Sequence, residues 1–209
     1  MRTRVSALLG IAGVALVLGS CVSLRRTPEA RFFVLRSLVE PLPPGATPAP
    51  GAVGVLNVRL PGHLERPQII VWRAPNEMSV DEFTRWAEPL GGAVSRVLAE
   101  NLAALLPDHP VVRYHWPVAT KLIGRVAVEV RIFAPQPSGE VRLEGRWTIL
   151  TPDQERAVAF RPFVLTRGPL LAGPEGADPG ASVEAMSQLL ADLAREIAPA
   201  VRELPRPAS

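Results

Sequence analysis

Residues 125–149 read RVAVEVRIFAPQPSGEVRLEGRWTI. Two alternating runs flank a short Pro/Gly-rich link. In the first, Val126, Val128, Val130 and Ile132 face one way and Arg125, Glu129 and Arg131 the other. In the second, Val141, Leu143, Gly145, Trp147 and Ile149 oppose Arg142, Glu144 and Arg146. Successive side chains on a strand point to opposite faces, so each run predicts a strand with one buried and one polar side. The link at Pro135–Gly139 closes them into an antiparallel hairpin. Pro152–Glu155 predicts another turn and 156–166 a third strand of the meander.

Working outward, further strands are expected at 31–38 (RFFVLRSL), 53–60 (VGVLNVRL), 68–73 (QIIVWR) and 111–116. The run PLPPGATPAP at 41–50 holds no regular structure and reads as an extended linker or loop. Two segments carry a helical stripe. One runs through Phe83, Trp86, Leu90, Val94, Val97, Leu98, Leu102 and Leu105, with Ser79 and Glu82 spaced as a capping box. Pro89 falls inside this stripe, which predicts a kink or restart there. Residues 168–180 read as loop. The second stripe is Met186, Leu190, Leu193, Ile197 and Val201, with Ser182 as its expected cap. The predicted fold is α+β: an antiparallel or mixed β-sheet with two long α-helices packed on one face.

The N-terminus obeys different rules. Arg2 and Arg4 precede an uncharged run, Val5–Leu18, and Gly19-Ser20-Cys21 follows. A positive start, a short apolar stretch and small residues at the cut define a secretory signal. The run is shorter than the roughly 20 apolar residues of a spanning helix. Leu18-Gly19-Ser20-Cys21 resembles the bacterial lipobox, in which the cysteine receives lipid. Cys21 is the only cysteine, and an unpaired thiol in an exported chain is otherwise odd. The expected organisation is a signal peptide at 1–20, a lipidated tether at 21–30, one domain at 31–204 and a frayed tail at 205–209. Removing 1–20 leaves 189 residues, and the formal charge falls from +3 to +1 because two arginines leave and no acid does. No charge block reads as a nucleic-acid arm.

The signatures of catalysis are missing from the sequence. His63, His109 and His115 have no metal-ligand spacing. There is no G-x-S-x-G elbow and no phosphate-binding G-x-x-x-x-G-K-[ST] loop. The chain therefore reads as a non-enzyme with no cofactor beyond a covalent lipid on Cys21. A lipid-anchored hydrolase would need a Ser or Asp gathered with a His by the fold.

Four segments carry a family likeness: Arg31–Leu35 (RFFVL), Val58–Val71 (VRLPGHLERPQIIV), Val80–Leu90 (VDEFTRWAEPL) and Arg96–Leu102 (RVLAENL). Gly145-Arg146-Trp147 fits more loosely. Together they resemble the ABC-type transport auxiliary lipoprotein component family, the PqiC-like group. Phe33 and His63 stand where a tyrosine or similar ring is common in that group.

The resemblance implies a periplasmic lipoprotein that works as the auxiliary, non-catalytic subunit of an MCE/ABC-type lipid transport system. Its partners would be a periplasmic MCE-domain protein with its ABC transporter or permease, and the membrane reached through the lipid; a homo-oligomer is compatible with this. Because no Asp directly follows Cys21, the outer membrane is favoured over the inner. A structural or assembly lipoprotein of the envelope is the competing reading. Between two predicted strands, Pro61, Gly62, Leu64, Arg66 and Pro67 form a proline-bounded loop. Proline pre-orders a loop and lowers the entropic cost of docking, so Leu64 and Arg66 are candidate partner anchors; equally, Pro61-Gly62 is only a turn and Leu64 only packs. The four tryptophans read as core.

Overall fold

The computed structural model describes residues 28–43, 51–117, 119–170, 172–173 and 176–204. The signal segment, Cys21, most of the tether, residues 44–50 of the proline-rich run and the tail at 205–209 lie outside the described residues.

Elements follow the chain as β1 (Arg31–Phe33), β2 (Ala52–Val55), a 3-10 turn (Gly62–Leu64), β3 (Gln68–Ala74), β4 (Glu77–Trp86), α1 (Leu90–Leu105), β5 (Val111–Arg113), β6 (Leu122–Pro135), β7 (Val141–Leu150), β8 (Ala157–Arg167), the short pair β9 (Ala172–Gly173) and β10 (Gly176–Ala177), and α2 (Pro179–Arg202). The main sheet has five strands in the order β5-β2-β6-β7-β8. It is mixed, parallel at β5-β2 and β2-β6 and antiparallel at β6-β7 and β7-β8. A separate three-stranded sheet, β1-β4-β3, joins β4 to β1 in parallel and to β3 as an antiparallel hairpin.

The two alternating runs form the central hairpin, in register from Arg125 opposite Leu150 to Pro135 opposite Val141. Val126, Val128, Val130, Val141, Leu143, Trp147 and Ile149 are buried. The alternation shifts once: a bulge between Val130 and Ile132 turns Phe133 rather than Ile132 fully inward. Gly145 permits this close approach. A Cβ built there would lie 2.1 Å from the Glu129 carbonyl and 3.0 Å from the Phe163 ring.

Both helices lay their stripes on the inner side of the sheet. Leu90, Val94, Val97, Leu98 and Leu102 of α1 are buried, as are Met186, Leu190, Leu193, Ile197 and Val201 of α2. One continuous apolar core runs from Leu35 to Leu204.

Two helix starts differ from expectation. The Ser79–Glu82 segment is strand, not a capping box. It pairs with β3, Ser79 opposite Val71 and Val80 opposite Ile70, and the same strand goes on to pair with β1 from Thr84. Ser79 Oγ accepts from Arg73 Nε at 2.9 Å, and the Glu82 carboxylate accepts from Gln68 Nε2 at 2.8 Å, so both side chains bond across strands. The helix starts after Pro89, whose φ of −55° suits a helix entrance. For α2 the cap is Asp178, not Ser182: its side chain accepts from the Ala181 N–H at 3.1 Å, and Pro179 fills the first turn. Ser182 is buried within the helix.

Three predicted strands are shorter than expected. The segment at 31–38 pairs only over 31–33, that at 53–60 only over 52–55 with an isolated bridge from Arg59 to Glu129, and that at 111–116 only over 111–113. Beyond Phe33 the chain becomes a strap across the helices. Asn101, itself fully buried, accepts through Oδ1 from the Ser37 hydroxyl at 2.8 Å and from the N–H groups of Leu38 and Val39 at 3.2 Å. Arg96 donates to the Leu35 carbonyl at 3.1 Å while Glu88 and Glu100 hold its guanidinium. The Glu88 carboxylate, with help from Glu100, raises the already high Arg96 pKa. The Leu42 N–H reaches the Ala104 carbonyl at 3.0 Å.

Candidate docking surface

The helices cover one face of the five-stranded sheet and leave the other open. Residues that alternate away from the core come together on that open face. From β7 come Arg142, Glu144, Arg146 and Thr148; from β8, opposite them in register, come Val164, Pro162 and Phe160. Val158, Phe160 and Val164 are 48%, 57% and 57% exposed. β8 is also the edge of the sheet. An exposed apolar row on a long edge strand is a feature that soluble domains ordinarily avoid unless something binds it.

Beside this row lies an open basin of about 910 Å³. Its floor includes Ala127, Glu129, Arg146 and Thr148, and its walls include Tyr114 and Phe160. Charges here are organised rather than scattered. Arg146 grips Glu129 through Nε at 2.9 Å and Nη2 at 2.5 Å. Glu144, nearly buried, accepts from both Arg131 and Arg142. A carboxylate held between two guanidiniums fixes the side chains around it. Arg59 opens onto the same basin and has no acidic partner among the described residues. The face is thus apolar along β8, ordered and charged along β6 and β7, with an excess of arginine.

The proline-bounded loop borders this face. Pro61 and His63 line a second depression of about 440 Å³ with Arg59, Leu60, Glu129 and Arg131, and Glu65 lines the main basin. Gly62, Arg66 and Pro67 are exposed. Leu64 corrects one expectation: it is 3% exposed and belongs to the core, so it secures the loop from inside and offers no anchor to a partner. Arg66 stays outside, with Nε 3.4 Å from Gln68 Oε1. The Pro67 carbonyl accepts from the Trp86 N–H at 2.7 Å and ties the loop to β4.

Two of the histidines pack against neighbouring rings. His63 lies edge-on to Trp72, with ring centroids 6.0 Å apart, and His115 stacks against Tyr114 at 3.8 Å. Among the described residues no three of His, Cys, Asp and Glu gather as metal ligands, and no helix is long and apolar enough to cross a membrane. Trp86 and Trp147 are core, as expected, and Trp147 Nε1 donates to Glu196 at 2.9 Å. Trp72 and Trp116 are only partly buried; Trp116 lies under the Arg125 guanidinium, 5.2 Å from its ring.

Sequence reasoning missed the β8 row and the strap clamp. The first had a signal: Val158, Phe160 and Val164 alternate in a strand whose opposite positions also carry apolar Ala159, Phe163 and Leu165, so both faces are apolar. The second had none, because Asn101 reaches residues more than sixty positions away.

The family model for the ABC-type transport auxiliary lipoprotein component matches residues 33–198, from the strap to the last turns of α2. No curated protein matches the chain in sequence. Two solved structures share its fold at 21% identity. One, an uncharacterized protein, has a TM-score of 0.64 over 83% of this chain and 99% of its own. The other, a protein from Xanthomonas campestris, has a TM-score of 0.62 over 81% and 93%. With its family model matched from the strap through both helices, the chain belongs to the ABC-type transport auxiliary lipoprotein component family.

Proposed function

We propose that the chain is exported, cut before Cys21 and lipidated there, and held at the periplasmic face of the outer membrane. There it serves as the non-catalytic auxiliary subunit of an MCE/ABC-type lipid transport system. The open sheet face, with the rim at Pro61, Arg66 and Pro67, docks the periplasmic MCE-domain protein. The observation that carries this reading is the family match across residues 33–198. The surface supports it physically. Apolar side chains beside pre-ordered arginine–carboxylate pairs suit a protein interface, where aromatic and arginine residues supply most of the binding energy. The basin is broad and open, which suits a protein partner better than an enclosed small molecule.

Affinity purification from detergent-solubilised envelopes, with Cys21→Ala in parallel, tests the proposal. The expected result is co-purification of an MCE-domain protein and its transporter, reduced when Cys21→Ala is expressed in cells, because the tether raises the local concentration of the domain. Recovery of a different envelope complex with no MCE protein would leave an envelope assembly role instead.

A further inference from the structure

Two of the most exposed large apolar side chains lie where the tether meets the domain. Phe32 is 62% and Val34 50% exposed, while between and beyond them Phe33 packs on the core and Leu35 is buried. The alternation sends Phe32 and Val34 outward, with Arg36 next in the same series. β1 is an edge of the small sheet, and among the described residues none covers Phe32 or Val34. A groove of about 550 Å³ opens beside it, lined by apolar side chains such as Ile69 and Phe83 and by the charged Arg31, Arg73, Asp81 and Asp178.

We infer that this ridge is a membrane footing: Phe32 and Val34 enter the interfacial layer of the phospholipid bilayer that holds the anchor. The inference rests on lipidation of Cys21. Six residues separate Cys21 from Pro28, so even a fully extended tether keeps Pro28 within about 25 Å of the lipid surface. The end of the domain that the tether reaches first is the end that exposes Phe32 and Val34. Aromatic side chains favour the water–lipid interface, and one weak apolar contact suffices when a tether already holds the protein there.

The charges around the ridge define the kind of membrane. Arg31 is 3.6 Å from Asp178, and Arg36 donates to Glu184 at 2.8 Å. The two arginines of the ridge are thus each paired with an acid, Asp178 at the cap of α2 and Glu184 within it, while Arg25 and Arg26 put positive charge on the tether rather than on the ridge. The footing is apolar and suits a zwitterionic surface. Its strength is insensitive to salt, unlike a polybasic patch. The strap also runs across the helices, while the docking face lies on the far side of the sheet.

The test uses the single cysteine. Protein beginning at Cys21 is coupled through it to maleimide-headgroup lipid in phosphatidylcholine–phosphatidylethanolamine vesicles, with plain or brominated acyl chains. Trp emission is compared among the parent, Phe32→Trp, Val34→Trp and Val158→Trp. The footing predicts that brominated lipid lowers the added emission of Phe32→Trp and Val34→Trp at least about twofold, unchanged in 0.5 M salt, and leaves that of Val158→Trp unaffected. Equal emission in plain and brominated vesicles at both positions overturns it. So does shielding of Phe32→Trp that appears without lipid and grows with protein concentration, which would assign the ridge to a second copy. Chemical coupling supplies the tether whatever happens in cells. Failure of natural lipidation would show separately, as loss of palmitate labelling at Cys21.

Discussion

Asn101 carries no charge, yet it fixes the strap at residues 37–39 to the first helix. Its Oδ1 is the shared acceptor for Ser37, Leu38 and Val39. Replacing it by Ala leaves three donors without a partner in a half-buried strap, and orphaned donors cost about 1–3 kcal/mol. Asn101→Ala should lower unfolding free energy by about 2 kcal/mol in urea titration and speed amide exchange at Leu38 and Val39. An unchanged midpoint would mean the strap is held elsewhere. Gly145→Ala should cost about 2–3 kcal/mol, because the new methyl meets the backbone of Glu129 rather than a movable side chain. Asp81 gives a pH signature. The Thr84 hydroxyl and the Phe83 N–H hold its carboxylate below the ordinary value. Its contribution to stability is present above the unfolded-state pKa and lost as pH falls through the folded one. Acid titration of stability should therefore be shallower in Asp81→Asn. All three residues lie in segments that stand out in the sequence through family likeness, but the likeness does not say why. The contacts of Asn101 and Gly145 are long-range and no local pattern contains them, whereas those of Asp81, to Phe83 and Thr84, are local.

The elements were readable where one periodicity ruled and unreadable where two competed. The β6–β7 hairpin and the stripe of α2 follow clean periods of two and 3.6, and both formed as expected. Residues 79–86 satisfy a helical stripe as well as a strand, and the strand won because β1 and β3 flank it. Pairing of that kind, 31 with 84 and 68 with 85, is a tertiary fact. Of the candidate surface, the sequence marks the loop from Pro61 to Pro67, which borders the open face, and gives β8 only as a third strand. If β8 carries the interface, Phe160→Asp with Val164→Asp should leave the melting temperature within a few degrees. Exposed substitutions cost within about 0.5 kcal/mol. The same pair should weaken partner recovery at least about tenfold, the loss of about 1.4 kcal/mol expected for desolvated apolar anchors. Equal recovery would move the interface off β8.

At the scale of the whole molecule, the layers set a direction. The strap crosses the helices, the helices cover one face of the five-stranded sheet and leave the other open among the described residues, and the small sheet packs through β3 against β6. In the arrangement we propose, a lipid at Cys21 and a footing at Phe32 hold the β1 end to the bilayer while the β8 row and its basin meet the periplasmic partner, as an adaptor with two attachment surfaces would. The most direct measurement places a photo-crosslinking residue at position 160 in intact cells, with position 32 as the comparison. The account predicts that irradiation joins position 160 to an MCE-domain protein, while position 32 yields no such protein adduct. An MCE adduct at position 32 and none at position 160, or capture of an unrelated envelope protein at 160, would contradict it.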